Sequence, residues 1–184
     1  MNKKFFIGIA LTIVSFSLVW TLLTPVMFPG VQAGSASAAP YPGFKAPDFT
    51  LSTLEDETIS LADYNGQPVL VFLWASWCSV CKATMPGLQN VYLDFSDQGF
   101  EILAVNTTFQ DNLSTAVNYF QTQDYTYRFL LDQDGTVSRL YEVHALPTAI
   151  LVGPDGIVLD VVIGSGMSAG FLRSRLDQIL SDAE

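Results

Sequence analysis

Cys78 and Cys81 are the residues of this chain best suited to covalent chemistry, and they are its only two cysteines. The residues between them, Ser79 and Val80, give a CxxC spacing shortly after the apolar run 69–74. If that run is a buried strand and the cysteines open the next helix, the unpaired N–H groups at the helix start stabilise a thiolate, which is the reactive form of cysteine. One helical turn also brings the two sulfurs close enough for a short-loop disulfide. The pattern therefore predicts a redox-active disulfide in which an exposed Cys78 attacks and a shielded Cys81 resolves the mixed disulfide.

A structural disulfide and a metal site are the two alternatives for these cysteines. Closing so short a loop removes little chain entropy from the unfolded state, so a stabilising role is a poor explanation. A closed structural zinc site needs four ligands, and the chain adds only one histidine, His144, to its two cysteines. We therefore expect redox chemistry at the pair itself, with no metal and no cofactor.

Composition limits the class of protein further. The chain has 184 residues, which is enough for one domain with short extensions. Its 18 acidic and 8 basic residues give a formal net charge of −10, whereas phosphate recognition needs clustered Lys and Arg. The balance argues against a nucleic-acid-binding protein, and we expect no nucleic-acid partner.

The first 28 residues predict a membrane segment. Residues 5–28 carry no charge and would reach about 36 Å as a helix, enough to span a hydrocarbon core of about 30 Å. Because Lys3 and Lys4 precede this run, the positive-inside rule places the rest of the chain outside the cytoplasm. We expect residues 1–28 to be a single-pass anchor in the cell membrane. The alternative is a cleaved signal sequence, which would leave the domain secreted or periplasmic.

The remainder divides into a linker and one folded domain. Residues 29–43 are small, rich in Pro and Gly and uncharged, which is typical of a flexible linker. From residue 44 to 184 the hydrophobic pattern alternates between strand and helix spacing, with turn residues at 65–66 and 153–156. This alternation predicts an α/β domain with a central mixed sheet, helices on both faces and an N-terminal β-hairpin extension.

Motifs spread along this domain occur in the order typical of a known family. The segment WASWCSVC at 74–81 resembles the active-site segment of the thioredoxin superfamily. The segments APDF at 46–49, GFEILAVN at 99–106, LPT at 146–148 and GPDG at 153–156 are similar, in register, to its TlpA/ResA-like extracytoplasmic branch. The resemblance covers roughly residues 44–181.

This resemblance implies a thioredoxin-like fold and dithiol–disulfide exchange with protein substrates, with reduction as the usual direction. Apocytochromes c are typical clients of the branch, and a membrane thiol carrier of the DsbD/CcdA type is its usual electron donor. The resemblance identifies Cys78 and Cys81 as the catalytic pair and Pro147 as a cis-proline packed against it. It places Leu146 where its backbone can pair with an incoming peptide, and Trp77 as an apolar rim beside the nucleophile. Trp77, Leu146 and Pro147 are thus the expected substrate-binding residues.

Several positions depart from the pattern of that family or add to it. Val80 stands where a proline commonly precedes the second cysteine, and Phe72 stands where many thioredoxins bury an acidic residue. Asp111 is an alternative acid, although capping of the next helix by Asp111 or Asn112 is the simpler interpretation. His144, expected near the rim of the site, either stabilises the Cys78 thiolate as a cation or is an ordinary loop histidine.

Two other functions compete with thiol–disulfide exchange. A peroxiredoxin-type peroxidase shares the fold, but that family has Thr three residues before its nucleophile, where this chain has Ala75. A non-catalytic binding module for an apoprotein or a metal would use the same scaffold and would tolerate loss of either Cys78 or Cys81.

Overall fold

The computed structural model describes residues 38–182, in which seven strands and four α-helices form one mixed sheet with flanking helices. The strands are β1 (Thr50–Ser52), β2 (Thr58–Ser60), β3 (Val69–Trp74), β4 (Glu101–Asn106), β5 (Arg128–Leu131), β6 (Thr148–Val152) and β7 (Val158–Ile163). The helices are α1 (Ser79–Phe95), α2 (Leu113–Thr122), α3 (Thr136–Leu140) and α4 (Ala169–Ser181). Short 3₁₀ turns cover Leu61–Tyr64, Ser96–Gln98 and Thr108–Gln110.

The predicted membrane segment, residues 1–28, lies outside the described residues. Among residues 38–182, none of the helices has the length and apolar character needed to cross a bilayer.

The sheet has the order β2-β1-β5-β4-β3-β6-β7. Strands β3, β4 and β5 are parallel neighbours, whereas the remaining pairings are antiparallel. The N-terminal hairpin β1–β2 and the C-terminal hairpin β6–β7 form the two edges, so the predicted N-terminal hairpin is confirmed. Because β3 lies at the centre and is buried on both faces, its six residues are all apolar.

The two faces of the sheet are covered differently. Alternate residues of β3, Leu70, Phe72 and Trp74, face a core shared with α1, α2 and α4. The other three, Val69, Val71 and Leu73, face a core shared with α3 and with the chain between residues 46 and 61. Helices therefore lie on both faces, as predicted, but the second face is completed by the N-terminal extension.

Helix α1 contains Pro86 and is one continuous α-helix from Ser79 to Phe95. Proline lacks the N–H that would bond the carbonyl four residues earlier, here that of Lys82. The Tyr119 hydroxyl, from α2, donates to this Lys82 carbonyl at 3.3 Å. A side chain from the neighbouring helix thus satisfies the acceptor that Pro86 leaves free.

The described end of the predicted linker, residues 38–43, is hydrogen-bonded to the domain. Ala38 and Ile157 each form a bridge with Lys45, and the Gly43 N–H donates to the Val158 carbonyl at 2.9 Å. The Tyr41 hydroxyl donates to the Glu142 carboxylate. Among the described residues, contacts with the domain are therefore present from residue 38 onward, several residues before the boundary predicted from composition.

Candidate active site

The two cysteines form a disulfide at the N-terminus of α1, with their Cα atoms 5.3 Å apart. Cys78 is the N-cap residue, and its Sγ accepts a hydrogen bond from the Cys81 N–H at 3.1 Å. This donor and the positive end of the helix would stabilise a thiolate on Cys78 after reduction. Only 6% of Cys78 is exposed in the oxidised form, which is less than predicted, while Cys81 is fully buried. The predicted order of accessibility is nevertheless confirmed.

Trp77 forms an exposed apolar surface directly before Cys78. It is 60% exposed, and its indole N–H donates to the Gln110 carbonyl at 3.3 Å. Trp74, by contrast, is completely buried and packs against Tyr119, Phe120 and Phe129. Trp74 thus belongs to the hydrophobic core, whereas Trp77 is exposed at the surface.

The Leu146–Pro147 peptide bond is cis, as the resemblance implied. Thr148, the next residue, pairs with Leu73 of β3. This register places Pro147 at the end of the sheet where β3 leads into the cysteine loop. Leu146 is half-buried and packs against the hydrophobic cluster that contains both cysteines.

A second loop, between β4 and α2, is bonded to the cysteine loop. The Thr107 N–H and hydroxyl donate to the Trp74 carbonyl at 3.0 and 3.3 Å. The Asp111 carboxylate accepts from the Ser76 N–H and hydroxyl, each at 2.6 Å. Asp111 is therefore not the cap of α2, since the Asn112 side chain caps it by accepting from the Thr115 N–H.

Sequence reasoning missed this contact between the two loops. Its one sequence signal is a polar pair, Asn106 and Thr107, at the end of an apolar strand. Both residues are completely buried, and buried polar side chains are nearly always hydrogen-bonded.

Two of the described acidic residues are buried. Neither takes the place of the buried acid that many thioredoxins have at the position of Phe72. Glu101 pairs with Val69 at the opposite end of the sheet from the cysteines. Burial raises the pKa of the Glu101 carboxyl above its usual 4.5, although the Ile102 N–H and Arg128 lower it. Asp132 is used by α3, as its carboxylate accepts from the N–H groups at the start of that helix.

His144 is exposed in the loop between α3 and β6. It lines a surface depression with Phe109, Arg139 and Glu142. Since Phe109 immediately precedes Gln110, which accepts from Trp77, this depression lies beside the apolar rim. A role for the His144 charge in thiolate stabilisation remains a prediction.

Comparison with known proteins agrees with this geometry. The AhpC/TSA family model matches residues 42–161. Thiol-disulfide oxidoreductase ResA of Oceanobacillus iheyensis is 34% identical over 145 residues, which cover 76% of this chain and 71% of that protein. Thioredoxin-like protein YneN of Bacillus subtilis is 31% identical over 180 residues, which cover 96% of this chain and 99% of that protein.

Solved structures show the same fold. The crystal structure of a thiol:disulfide interchange protein, DsbE, from Chlorobium tepidum matches with a TM-score of 0.70 at 28% identity and covers 76% of this chain and 98% of that chain. StoA of Bacillus subtilis matches with a TM-score of 0.62 at 26% identity, covering 70% of this chain and 95% of that chain.

The fold and the bonded CxxC pair define a thioredoxin-like thiol–disulfide oxidoreductase of the ResA/DsbE type. The chain belongs to the AhpC/TSA family.

Proposed function

We propose that this oxidoreductase reduces disulfides of proteins outside the cytoplasm while it is tethered to the membrane by residues 1–28. The observation that carries the chemistry is the asymmetry of the pair: Cys78 caps α1 and is the more accessible sulfur, and Cys81 lies one turn deeper with no exposure. The charge-free run at 5–28, preceded by Lys3 and Lys4, supports the location.

The reaction proceeds through one mixed disulfide. The Cys78 thiolate attacks one sulfur of the substrate disulfide, the substrate S–S bond breaks, and one substrate thiolate leaves. Cys81 then attacks the Cys78 sulfur, and the proton of its thiol passes to the departing substrate thiolate. The second substrate sulfur is released, two electrons have moved to the substrate, and the Cys78–Cys81 disulfide is formed.

Substrate recognition is assigned to the surface around the nucleophile. Trp77 offers an exposed apolar face beside Cys78. Leu146 and Pro147 lie at the same end of the sheet as the cysteine loop, where an extended peptide pairs with the backbone of residue 146 like an added strand. Apocytochromes c, whose thiols must be reduced before haem attachment, are one client class that fits this surface. Regeneration of the dithiol requires a membrane thiol donor of the DsbD/CcdA type.

Trapping of mixed disulfides in cells tests the function and its direction. Cys81→Ala should accumulate covalent complexes with client proteins, because Cys78 attacks and nothing resolves the bond. Cys78→Ala is the matched control and should trap nothing. Alkylation of the wild-type pair in the same cells should find it mainly as the dithiol if the protein is a reductant. A mainly oxidised pair would show that it acts as an oxidant, and absence of any trapped client would favour the non-catalytic binding module.

Labelling of intact cells tests the location. A membrane-impermeant maleimide should modify reduced Cys78 without lysis if the domain lies outside the cytoplasm. Modification only after lysis would refute this location.

A further inference from the structure

The Asp111 carboxylate is the most heavily bonded side chain near the cysteine pair. Its Oδ2 accepts from the Ser76 N–H at 2.6 Å and from the Asn106 amide at 2.8 Å. Its Oδ1 accepts from the Ser76 hydroxyl at 2.6 Å and from the Asn112 N–H at 2.8 Å. Two of these four donors belong to the loop that carries the nucleophile.

Ser76 lies two residues before Cys78 and one before Trp77. The Trp77 side chain itself makes one hydrogen bond, from its indole N–H to the Gln110 carbonyl, in the segment that ends at Asp111. The backbone of Ser76 and the ring of Trp77 are therefore both held by the same short segment, residues 110–111. The hydrogen bond from the Ser76 N–H to the Asp111 carboxylate is the strongest contact between the two loops, because its acceptor is charged.

We propose that Asp111 is a positioning residue, which fixes the loop before Cys78 so that Trp77 presents its exposed face to a protein substrate; this rests on the substrate-binding role proposed above for Trp77. Loss of the carboxylate would release the Ser76 backbone, and Trp77 would then sample several orientations in solvent. Docking of a protein substrate would be slowed, because the rim beside the nucleophile would have to be ordered during association. A small disulfide that reaches Cys78 without touching the rim would be affected little.

A second aspartate provides a matched control. The Asp48 carboxylate accepts from the Ser60 hydroxyl at 3.1 Å and from the Ala62 N–H at 3.0 Å. As at Asp111, the donors include one hydroxyl and one backbone N–H. These two donors, however, lie at the turn after β2. Asp48→Asn thus removes the same charge and weakens the same kind of contact away from the cysteines.

The experiment compares a protein disulfide with a small one. Reduced wild type, Asp111→Asn, Ser76→Ala, the double variant and Asp48→Asn would each be mixed with insulin and with a small aromatic disulfide. Each reaction would be followed by alkylation of the remaining thiols, which gives its second-order rate constant. Both disulfides react with the same thiolate, so the ratio of the two rate constants cancels any change in Cys78 ionisation.

The ratio of the insulin rate constant to the small-disulfide rate constant should fall at least about fivefold in Asp111→Asn. It should fall about twofold in Ser76→Ala, which keeps the backbone N–H contact. The double variant should be no worse than Asp111→Asn alone, because both changes act on one contact. Asp48→Asn should keep the wild-type ratio.

An unchanged ratio in a folded Asp111→Asn would overturn the proposal, as would an equal fall in Asp48→Asn. If Asp111→Asn does not fold, Ser76→Ala decides, since it removes a single hydroxyl. An unchanged ratio in that variant would then be the refuting result.

Discussion

Replacing Asp132 with Asn should destabilise the fold by about 2–4 kcal/mol, because its carboxylate serves the start of α3 in a site without solvent. Gly135 is the N-cap residue of this helix and has no side chain to cap it. Asp132, fully buried, instead accepts from the Val137 N–H at 3.1 Å and from the Ser138 N–H at 2.8 Å. It also accepts from the Ser138 hydroxyl at 2.6 Å.

The magnitude follows from what an amide can replace. One Asn oxygen keeps the Ser138 donors, but the Asn NH₂ group then faces the Val137 N–H, donor against donor. One charge-assisted bond is lost, worth about 1.5–3 kcal/mol, and a buried N–H is left unpaired, which costs a further 1–3 kcal/mol or so. The two losses together amount to about 2.5–6 kcal/mol, and partial relaxation of the site brings the expected cost to about 2–4 kcal/mol.

Chemical denaturation with the disulfide intact measures this effect as a lower midpoint at unchanged slope. Asp134→Asn is the matched control, since the exposed Asp134 carboxylate accepts from the Thr136 N–H at the same helix start. Its loss of stability should be clearly smaller, because water replaces the contact. Equal midpoints for the two variants would refute the reasoning.

Three further predictions test the helix start, a buried acid and the proline in α1. Val80→Pro removes one of the N–H groups at the start of α1 that have no partner within the helix and that favour a thiolate on Cys78. The dithiol form should then be less stabilised and the reduction potential about 10–30 mV more negative; potentials that agree within error would exclude this role. Burial raises the pKa of Glu101, so the stability it contributes is present below pH 4.5 and is lost as pH rises through the native pKa. The unfolding free energy of Glu101→Gln relative to wild type should therefore increase across that window, and parallel pH curves would contradict it. Tyr119→Phe should cost about 1 kcal/mol by denaturation. The cost should be smaller in Pro86→Ala, whose new N–H bonds the Lys82 carbonyl and leaves only the Tyr119–Tyr125 hydroxyl contact to lose; an equal cost in both backgrounds would rule out the compensation.

Much of the fold could be predicted from local sequence. The six-residue apolar run of β3 indicates a strand buried on both faces, and the Gly153–Gly156 turn sequence indicates the β6–β7 hairpin. Both are correct because hydrophobic periodicity and turn chemistry act over a few residues. The cysteine spacing likewise depends only on one helical turn, so the reactive pair and the greater burial of Cys81 were accessible from sequence.

Composition misled where distant segments make contact. Residues 38–43 are small and rich in Pro and Gly, which is typical of a linker, yet Ala38 forms a bridge with Lys45 and the Gly43 N–H donates to the Val158 carbonyl of β7. Pro86 is a helix-breaking residue by local rules, yet α1 continues through it, and Tyr119, 33 positions later in the sequence, supplies a donor to the carbonyl that Pro86 leaves free. Neither partner can be identified from the local pattern.

The chemistry of this protein can be read from one short segment, because the order of residues there sets two sulfurs one helical turn apart after a buried strand. The role of Asp111, by contrast, depends on contacts between distant segments. By local rules Asp111, like Asn112, is a candidate N-cap residue of α2. Its bonds to Ser76, 35 positions away in sequence, arise because the parallel strands β3 and β4 end side by side. Adjacent parallel strands bring the loops at their carboxyl ends together. The sequence pattern within either loop does not predict which side chain will bond which backbone group of the other.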